Sequence, residues 1–293
     1  MWEEAQFHTA DGITHAYYHL GTGVPLLWIN GGPGDSHNAL RVVARGMSNR
    51  LMCVLYDQRG CGQTSLPEQN ADTLHIDRFA DDIEALRQHL GVAQLHIIGH
   101  SWGAMLALAY AATYPEHVAA MALIAPGPFT PKLARVVKTN ISARFNRNQR
   151  YMFDMLRSQR KMAIINRDNP LQKKLHIRLM SEFYAPTWIY TPEKAIQHAR
   201  DFEMQYNVNP YIAEYVLPSW YALDILSIID GLATPTLVMY GYQDPQAITQ
   251  AYMLAQRMVN ARVVLLDECG HLPWLDQPER FYAEIDLFFQ GVG

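Results

Sequence analysis

Cysteine is scarce in this chain of 293 residues, which contains only Cys53, Cys61 and Cys269. The number is odd, and no CxxC pair or Cys/His cluster accompanies these residues. This pattern excludes both a disulfide framework and a zinc site of the usual spacing. We therefore expect three reduced thiols and no metal.

The sequence also has no dense run of lysine or arginine. It carries 24 Lys and Arg against 28 Asp and Glu, which gives a formal net charge of −4. Nucleic acids and anionic membrane surfaces are bound by basic patches. The charge balance therefore excludes nucleic acid and membrane as main partners.

Long apolar runs are absent too. The apolar stretch at 118–125 is followed at once by Pro126-Gly127-Pro128, and a membrane helix needs about 20 apolar residues. The first residues, Met1-Trp2-Glu3-Glu4, are acidic where a secretory signal would be basic. We expect a cytoplasmic protein with no transmembrane span.

What the chain does have is enough apolar residues for a large core, with 49% hydrophobic against 18% charged. Strand-like runs alternate with helix-length amphipathic segments up to about residue 125 and again after about residue 234, which predicts an α/β fold with a mostly parallel sheet. Three apolar runs are interpreted as buried strands that end in polar loops: 24–29 before Asn30, 51–56 before Asp57 and 95–98 before Gly99.

Helices are predicted between and after these strands. Phe79, Ile83, Leu86 and Leu90 recur at helical spacing before Gly91. A second, Ala-rich helix is predicted from Trp102 to Tyr114, stopped by Pro115, and a last one around 281–289. Further strands are predicted at 236–240 and 263–266.

The middle of the chain has a different texture, because basic, amide and aromatic residues replace the strand-like runs. We interpret 128–232 as an inserted helical cap. The α/β core then consists of 1–127 and 233–293.

The segment Gly99-His100-Ser101-Trp102-Gly103 matches G-x-S-x-G between a predicted strand and a predicted helix. In that context the glycines permit a sharp turn that exposes the Ser101 hydroxyl as a nucleophile. The alternative is an ordinary serine that caps the helix.

A nucleophilic serine needs a base and an orienting acid, which follow in the chain order Ser, Asp/Glu, His for this type of turn. Asp244 and His271 stand in that order, each on a loop after a predicted strand. His271 is therefore the candidate base and Asp244 the candidate acid. The alternatives are a turn aspartate before Pro245 and a structural histidine.

An oxyanion hole would complete the site. Its backbone donors would be the N–H of Trp102, after the nucleophile, and that of Gly32 in the loop Asn30-Gly31-Gly32-Pro33-Gly34. A plain Gly/Pro turn is the alternative. The loop lacks the GK[ST] ending of a phosphate-binding loop.

These motifs, together with Asp57-Gln58-Arg59-Gly60-Cys61-Gly62-Gln63-Thr64-Ser65 and Gly270-His271, resemble the proline iminopeptidase (prolyl aminopeptidase) family of α/β-hydrolases. The resemblance spans nearly the whole core, and the cap resembles that of the family more weakly. It implies an α/β-hydrolase fold and a serine peptidase without a cofactor that removes an N-terminal residue, preferably proline, from short peptides.

In that family an acidic residue of the cap binds the free α-amino group of the substrate. The segment at 202–209 resembles the one that carries such a residue, which makes Glu203 the first candidate. Glu182 and Glu214 are candidates for a second acid, and the alternative for Glu203 is a solvated helix residue.

Two features depart from the family. Asn30 stands where the family usually has histidine, which changes how the oxyanion loop is braced. The family's tryptophan-glutamate cap signature is absent from the matching place, which bears on the proline preference more than on hydrolysis.

Other motif residues are interpreted as structural. We expect Arg59 to pair with an acidic group beneath the loops, with Asp57 also structural; the alternative is contact with the substrate. Cys61 and Cys269 are interpreted as small space-filling residues.

Two other functions remain open. An esterase or lactonase acting on a small acyl substrate would use the same triad. A catalytically silent binding protein on this scaffold would be expected to have lost a triad member, whereas all three are present. A haloalkane dehalogenase or epoxide hydrolase is disfavoured because it would have aspartate in place of Ser101.

Overall fold

The structure is a computed structural model that describes residues 1–152, 154–155, 184–205, 209 and 211–292, without the side chains of 201–205. Its strands are β1 Glu3–His8, β2 Thr14–Leu20, β3 Pro25–Ile29, β4 Met52–Tyr56, β5 Leu95–His100, β6 Val118–Ile124, β7 Thr236–Gly241 and β8 Ala261–Leu266. Its α-helices are α1 Asn38–Arg45, α2 Ile76–His89, α3 Trp102–Thr113, α4 Pro131–Ala143, α5 Pro192–Gln205, α6 Ile212–Ala222, α7 Ile225–Ile228, α8 Thr249–Ala255, α9 Pro273–Asp276 and α10 Pro278–Gln290.

The strands of the described residues form one sheet in the order β1-β2-β4-β3-β5-β6-β7-β8. β1 pairs antiparallel with β2, and β2 pairs antiparallel with β4. The remaining neighbours are parallel. The predicted α/β class with a mostly parallel sheet is therefore confirmed.

Helices cover both faces of the sheet, so the side chains of successive strand residues pack in two different hydrophobic clusters. In β3, Leu27 and Ile29 pack in the cluster that contains α2 and α3, whereas Leu26 and Trp28 pack in the cluster that contains α1 and α10. Burial on both faces explains why the central strands have continuous apolar sequences.

The described parts of 128–232 are mainly helical, comprising α4, helical residues at 147–152 and 154–155, a helical turn at 184–188, α5, α6 and α7. No strand occurs in these described parts. The division into a core and a cap at residues 128 and 232 stays a prediction.

Within the residues that the structure describes, no helix combines the length and the apolar composition needed to cross a bilayer.

Candidate active site

Ser101 occupies a sharp turn between β5 and α3. Its backbone has φ 55° and ψ −114°, a strained conformation for a residue other than glycine. Its N–H donates to the carbonyl of Ile124 at 2.9 Å, and its carbonyl accepts from Ala104 at 3.1 Å. The turn is thus fixed from both sides at the carboxyl edge of the sheet, where the half-buried side chain starts.

The two glycines of the motif allow the elbow to pack tightly. A Cβ on Gly103 would collide with the carbonyl of Ile29, and a Cβ on Gly99 would collide with the carbonyl of Gly103. Any side chain at either position would push α3 away from the sheet. Gly103 is therefore required by the close approach of α3 to β3, and Gly99 by the close approach of α3 to β5.

His271 and Asp244 meet directly. His271 Nδ1 donates to Asp244 Oδ2 at 2.8 Å, and Asp244 Oδ1 accepts from the N–H of Gln246 at 2.8 Å. An ionised carboxylate only accepts hydrogen bonds, so the proton is assigned to Nδ1. Nε2 of the neutral ring is then left as the basic nitrogen.

His100, the residue before Ser101, connects the turn of Ser101 to the loop of His271. Its Nε2 lies 3.0 Å from the His271 carbonyl oxygen, and the two rings have centroids 4.8 Å apart. Burial, followed by the neighbouring His271, lowers the pKa of His100 well below its ordinary value. His100 is therefore neutral at pH 7, with Nε2–H as the donor.

Within the described part of the chain, no hydrogen bond joins the Ser101 hydroxyl to His271. The structure brings His271 and Asp244 together directly, and it brings Ser101 to them through the contacts of His100. In unliganded enzymes the bond between nucleophile and base is often long and closes when substrate binds. The full triad stays a prediction.

The glycine loop after β3 lies beside Ser101. A Cβ on Gly31 would lie 3.3 Å from the Ser101 Cβ, and Gly32 has φ 114°. Neither the N–H of Gly32 nor that of Trp102 donates a hydrogen bond among the described residues. Both N–H groups are thus available to a substrate oxygen, as an oxyanion hole requires.

One buried side chain, Gln58, joins the two segments that carry these donors. Trp102 Nε1 donates to Gln58 Oε1 at 2.9 Å, while Gln58 Nε2 donates to the Asn30 carbonyl at 3.0 Å. Asn30 in turn braces its own loop, because Nδ2 donates to the Asp35 carbonyl at 2.7 Å. Asparagine at position 30 thus braces the loop through an amide.

Replacing Gln58 with leucine is expected to lower kcat by about tenfold to a hundredfold, with a smaller change in KM. The substitution leaves a buried indole N–H and a buried carbonyl unpaired, at about 1–3 kcal/mol each. We expect the two oxyanion donors to lose their relative position. Steady-state kinetics on an aryl ester would measure the change.

Gln63→Leu is the matched control, because Gln63 is exposed on the same loop. It should leave kcat unchanged. A Gln58→Leu protein with reduced thermal stability and normal kcat would show that Gln58 acts on folding alone.

Arg59 is structural, as the sequence indicates. Its Nε donates to Asp82 Oδ2 at 2.7 Å, and its Nη2 lies 2.5 Å from Asp82 Oδ1. Asp57 is buried as well and accepts from both the backbone N–H and Nδ1 of His37. These contacts confirm that Arg59 pairs with an acid beneath the loops.

The segment at 184–191 contacts the histidine loop. The His271 N–H donates to the Trp188 carbonyl, and their rings lie 4.4 Å apart. Asp276 Oδ2 accepts from the N–H groups of Gly270 and Tyr190, each at 2.9 Å. Trp188 and Asp276 thus fix the loop of His271.

The proposed amine-binding acids are not placed at the site. Glu182 lies outside the described residues, and Glu203 lies in α5, where its side chain is not described. Glu214 is exposed in the first turn of α6. All three stay predictions.

The three cysteines are free and buried. Burial is the first cause that raises the pKa of both Cys61 and Cys269. These thiols are protonated at neutral pH and, as interpreted, fill space.

Comparison with known proteins gives the family. The family model described as alpha/beta hydrolase fold matches residues 24–278. A proline iminopeptidase of Lactobacillus helveticus is 26% identical over 274 residues, covering 88% of this chain and 87% of that protein. A proline iminopeptidase of Heyndrickxia coagulans is 22% identical over 278 residues, covering 93% of this chain and 92% of that protein. The resemblance inferred from the motifs is confirmed.

Solved structures share the fold. An alpha/beta fold family hydrolase from Bacillus anthracis has a TM-score of 0.77 at 20% identity and covers 98% of this chain and 99% of its own. The proline iminopeptidase of Mycobacterium smegmatis has a TM-score of 0.70 at 19% identity, with 99% and 98% covered. A thermophilic esterase from Thermogutta terrifontis has a TM-score of 0.71 at 21% identity, with 99% of both chains covered. The chain belongs to the alpha/beta hydrolase fold family.

Proposed function

We propose that this chain is a serine hydrolase that releases an N-terminal residue, preferably proline, from short peptides through an acyl-enzyme. The observation that carries the proposal is the buried His271–Asp244 hydrogen bond of 2.8 Å beside the strained turn of Ser101. Relatives named proline iminopeptidase, at up to 27% identity, support the substrate class.

In the proposed mechanism His271 Nε2 takes the hydroxyl proton as Ser101 Oγ attacks the substrate carbonyl carbon. The Gly32 and Trp102 N–H groups stabilise the oxyanion, and Asp244 stabilises the imidazolium. The proton passes from His271 to the leaving amine, and water then hydrolyses the acyl-enzyme by the same steps.

In the proposed function the cap supplies the group that recognises the free amine of the substrate. A carboxylate there, with Glu203 as first candidate and Glu182 or Glu214 as the second acid, would bind the substrate ammonium and confine cleavage to the first residue. The partner is thus a short peptide or another small acyl compound.

An esterase or lactonase is the second candidate function, since solved neighbours include esterases from Thermogutta terrifontis and Exiguobacterium antarcticum with TM-scores of 0.71 and 0.73. Rates on a proline arylamide, short-chain aryl esters and lactones separate the two. Turnover of the esters or lactones alone would refute the peptidase. Turnover of none would favour the binding protein.

Glu203→Gln is expected to raise KM for free-amine substrates far more than for neutral esters. Loss of one charged hydrogen bond weakens binding by about 1.5–3 kcal/mol, or roughly tenfold or more. Glu193→Gln, an exposed acid in the same helix, is the control. Equal effects on both substrate types would remove Glu203 from the amine site.

A further inference from the structure

Asp35 is an acidic side chain close to the proposed oxyanion hole. A Cβ built on Gly32 would lie 3.5 Å from Asp35 Cγ and 2.9 Å from the Asp35 backbone nitrogen. The carboxyl group therefore lies beside Gly32, the residue whose N–H would hold the substrate carbonyl oxygen.

This carboxyl has no structural partner. Among the described residues it accepts no hydrogen bond and forms no ion pair, although the side chain is half-buried. It also does not cap α1, whose N-terminus has no side-chain cap. Asp57, Asp82 and Asp276 differ, because each accepts at least two hydrogen bonds.

The surroundings of Asp35 disfavour its charge. Burial raises the pKa of Asp35 to about 6, and no cation lowers it. Cys61 is a titratable neighbour of Asp35, and its pKa is raised by burial and then by Asp35. The Cys61 thiol is therefore protonated and supplies no positive charge. A carboxyl group that is mostly buried, has a raised pKa and lacks a partner fits a position where a cationic ligand would compensate its charge.

Asn209, a described residue after α5, contacts the same loop. The Asn209 N–H donates to the Gly34 carbonyl at 2.8 Å, and Asn209 Nδ2 donates to the Gly60 carbonyl at 2.7 Å. Asp35 therefore lies where chain from the proposed cap meets the loop after β3.

We infer that Asp35 pairs with the α-ammonium group of the substrate's first residue, alongside the proposed cap acid, while the Gly32 N–H binds its carbonyl oxygen. An α-nitrogen lies only about 2.5 Å from the carbonyl carbon, so both groups fit one end of a bound peptide. The inference rests on the proposed aminopeptidase function, and it makes Asp35 a specificity-determining residue.

The position has a second consequence, because an ionised carboxylate beside an oxyanion repels it. A substrate ammonium cancels this repulsion, whereas a neutral acyl substrate does not. Asp35 would thus favour free-amine substrates and act against neutral ones.

The test compares the wild type and Asp35→Asn on two aryl esters with the same leaving group, L-proline ester and cyclopentanecarboxylate ester, at pH 7. We expect kcat/KM for the proline ester to fall about tenfold to a hundredfold. The rate on the cyclopentane ester should stay equal or rise. Asp72→Asn, at an exposed aspartate, should change neither.

Equal loss on both esters, or no change on either, would overturn the assignment. Thermal unfolding supplies a second readout, because an ionised Asp35 destabilises the fold above its raised pKa. Asp35→Asn should be at least as stable as the wild type at pH 7. The difference between their free energies of unfolding should shrink towards pH 5. A variant less stable than the wild type would contradict the statement that Asp35 has no partner.

The proposed function has its own separate readout. Failure of the wild type to cleave a proline arylamide refutes the aminopeptidase and the Asp35 assignment together. Cleavage that the Asp35→Asn variant retains in full refutes the assignment alone.

Discussion

Alanine at position 101 is expected to lower kcat on a proline arylamide by about 10⁴-fold or more, while the protein stays folded. Residual catalysis would come from the oxyanion donors and substrate binding alone. The removed hydroxyl makes no hydrogen bond among the described residues, so its loss should change the free energy of unfolding little. Initial rates and thermal unfolding of Ser101→Ala measure both effects.

A fluorophosphonate probe tests the same residue by covalent labelling. The wild type should be labelled and Ser101→Ala should not. Ser65→Ala, at an exposed serine in the loop after β4, should keep both labelling and activity. Persistent labelling of Ser101→Ala would place the nucleophile elsewhere.

The central strands were predictable because burial on two faces leaves a continuous apolar run. The runs 24–29, 51–56 and 95–98 correspond to β3, β4 and β5 within two residues at each end. β1 and β2 carry no such signal, since β1 is largely exposed at the edge of the sheet and polar residues divide the apolar ones of β2. Their antiparallel pairing depends on tertiary context.

The motif residues were also predictable, because a strand, a sharp turn and a helix fix where Ser101 lies. Gln58 was not, because its partners Asn30 and Trp102 are 28 and 44 residues away in the chain. Asp35 likewise resembles a turn residue in sequence, and the lack of a partner is visible only in three dimensions. Local pattern therefore identifies reacting groups, whereas groups that position them or select substrate depend on the fold.

The second large effect is expected from Asp244→Asn, which should lower kcat by about 10⁴-fold with little change in KM. An asparagine amide can donate to Nδ1 and thereby move the imidazole proton to Nε2. Nε2 would then carry a hydrogen and could not accept the Ser101 proton. ¹⁵N NMR of the His271 ring should show the change of tautomer.

Asp267→Asn is the matched control, since Asp267 is exposed and its Oδ1 accepts from the N–H of Glu268. This variant makes the same change from carboxylate to amide in the loop after β8, whereas Asp244 follows β7. It should leave both kcat and the His271 spectrum unchanged. If Asp244→Asn kept normal kcat with an altered tautomer, His271 would not be the base. Loss of kcat with the original tautomer would instead indicate that Asp244 acts through its charge, by stabilising the imidazolium as the Ser101 proton is transferred.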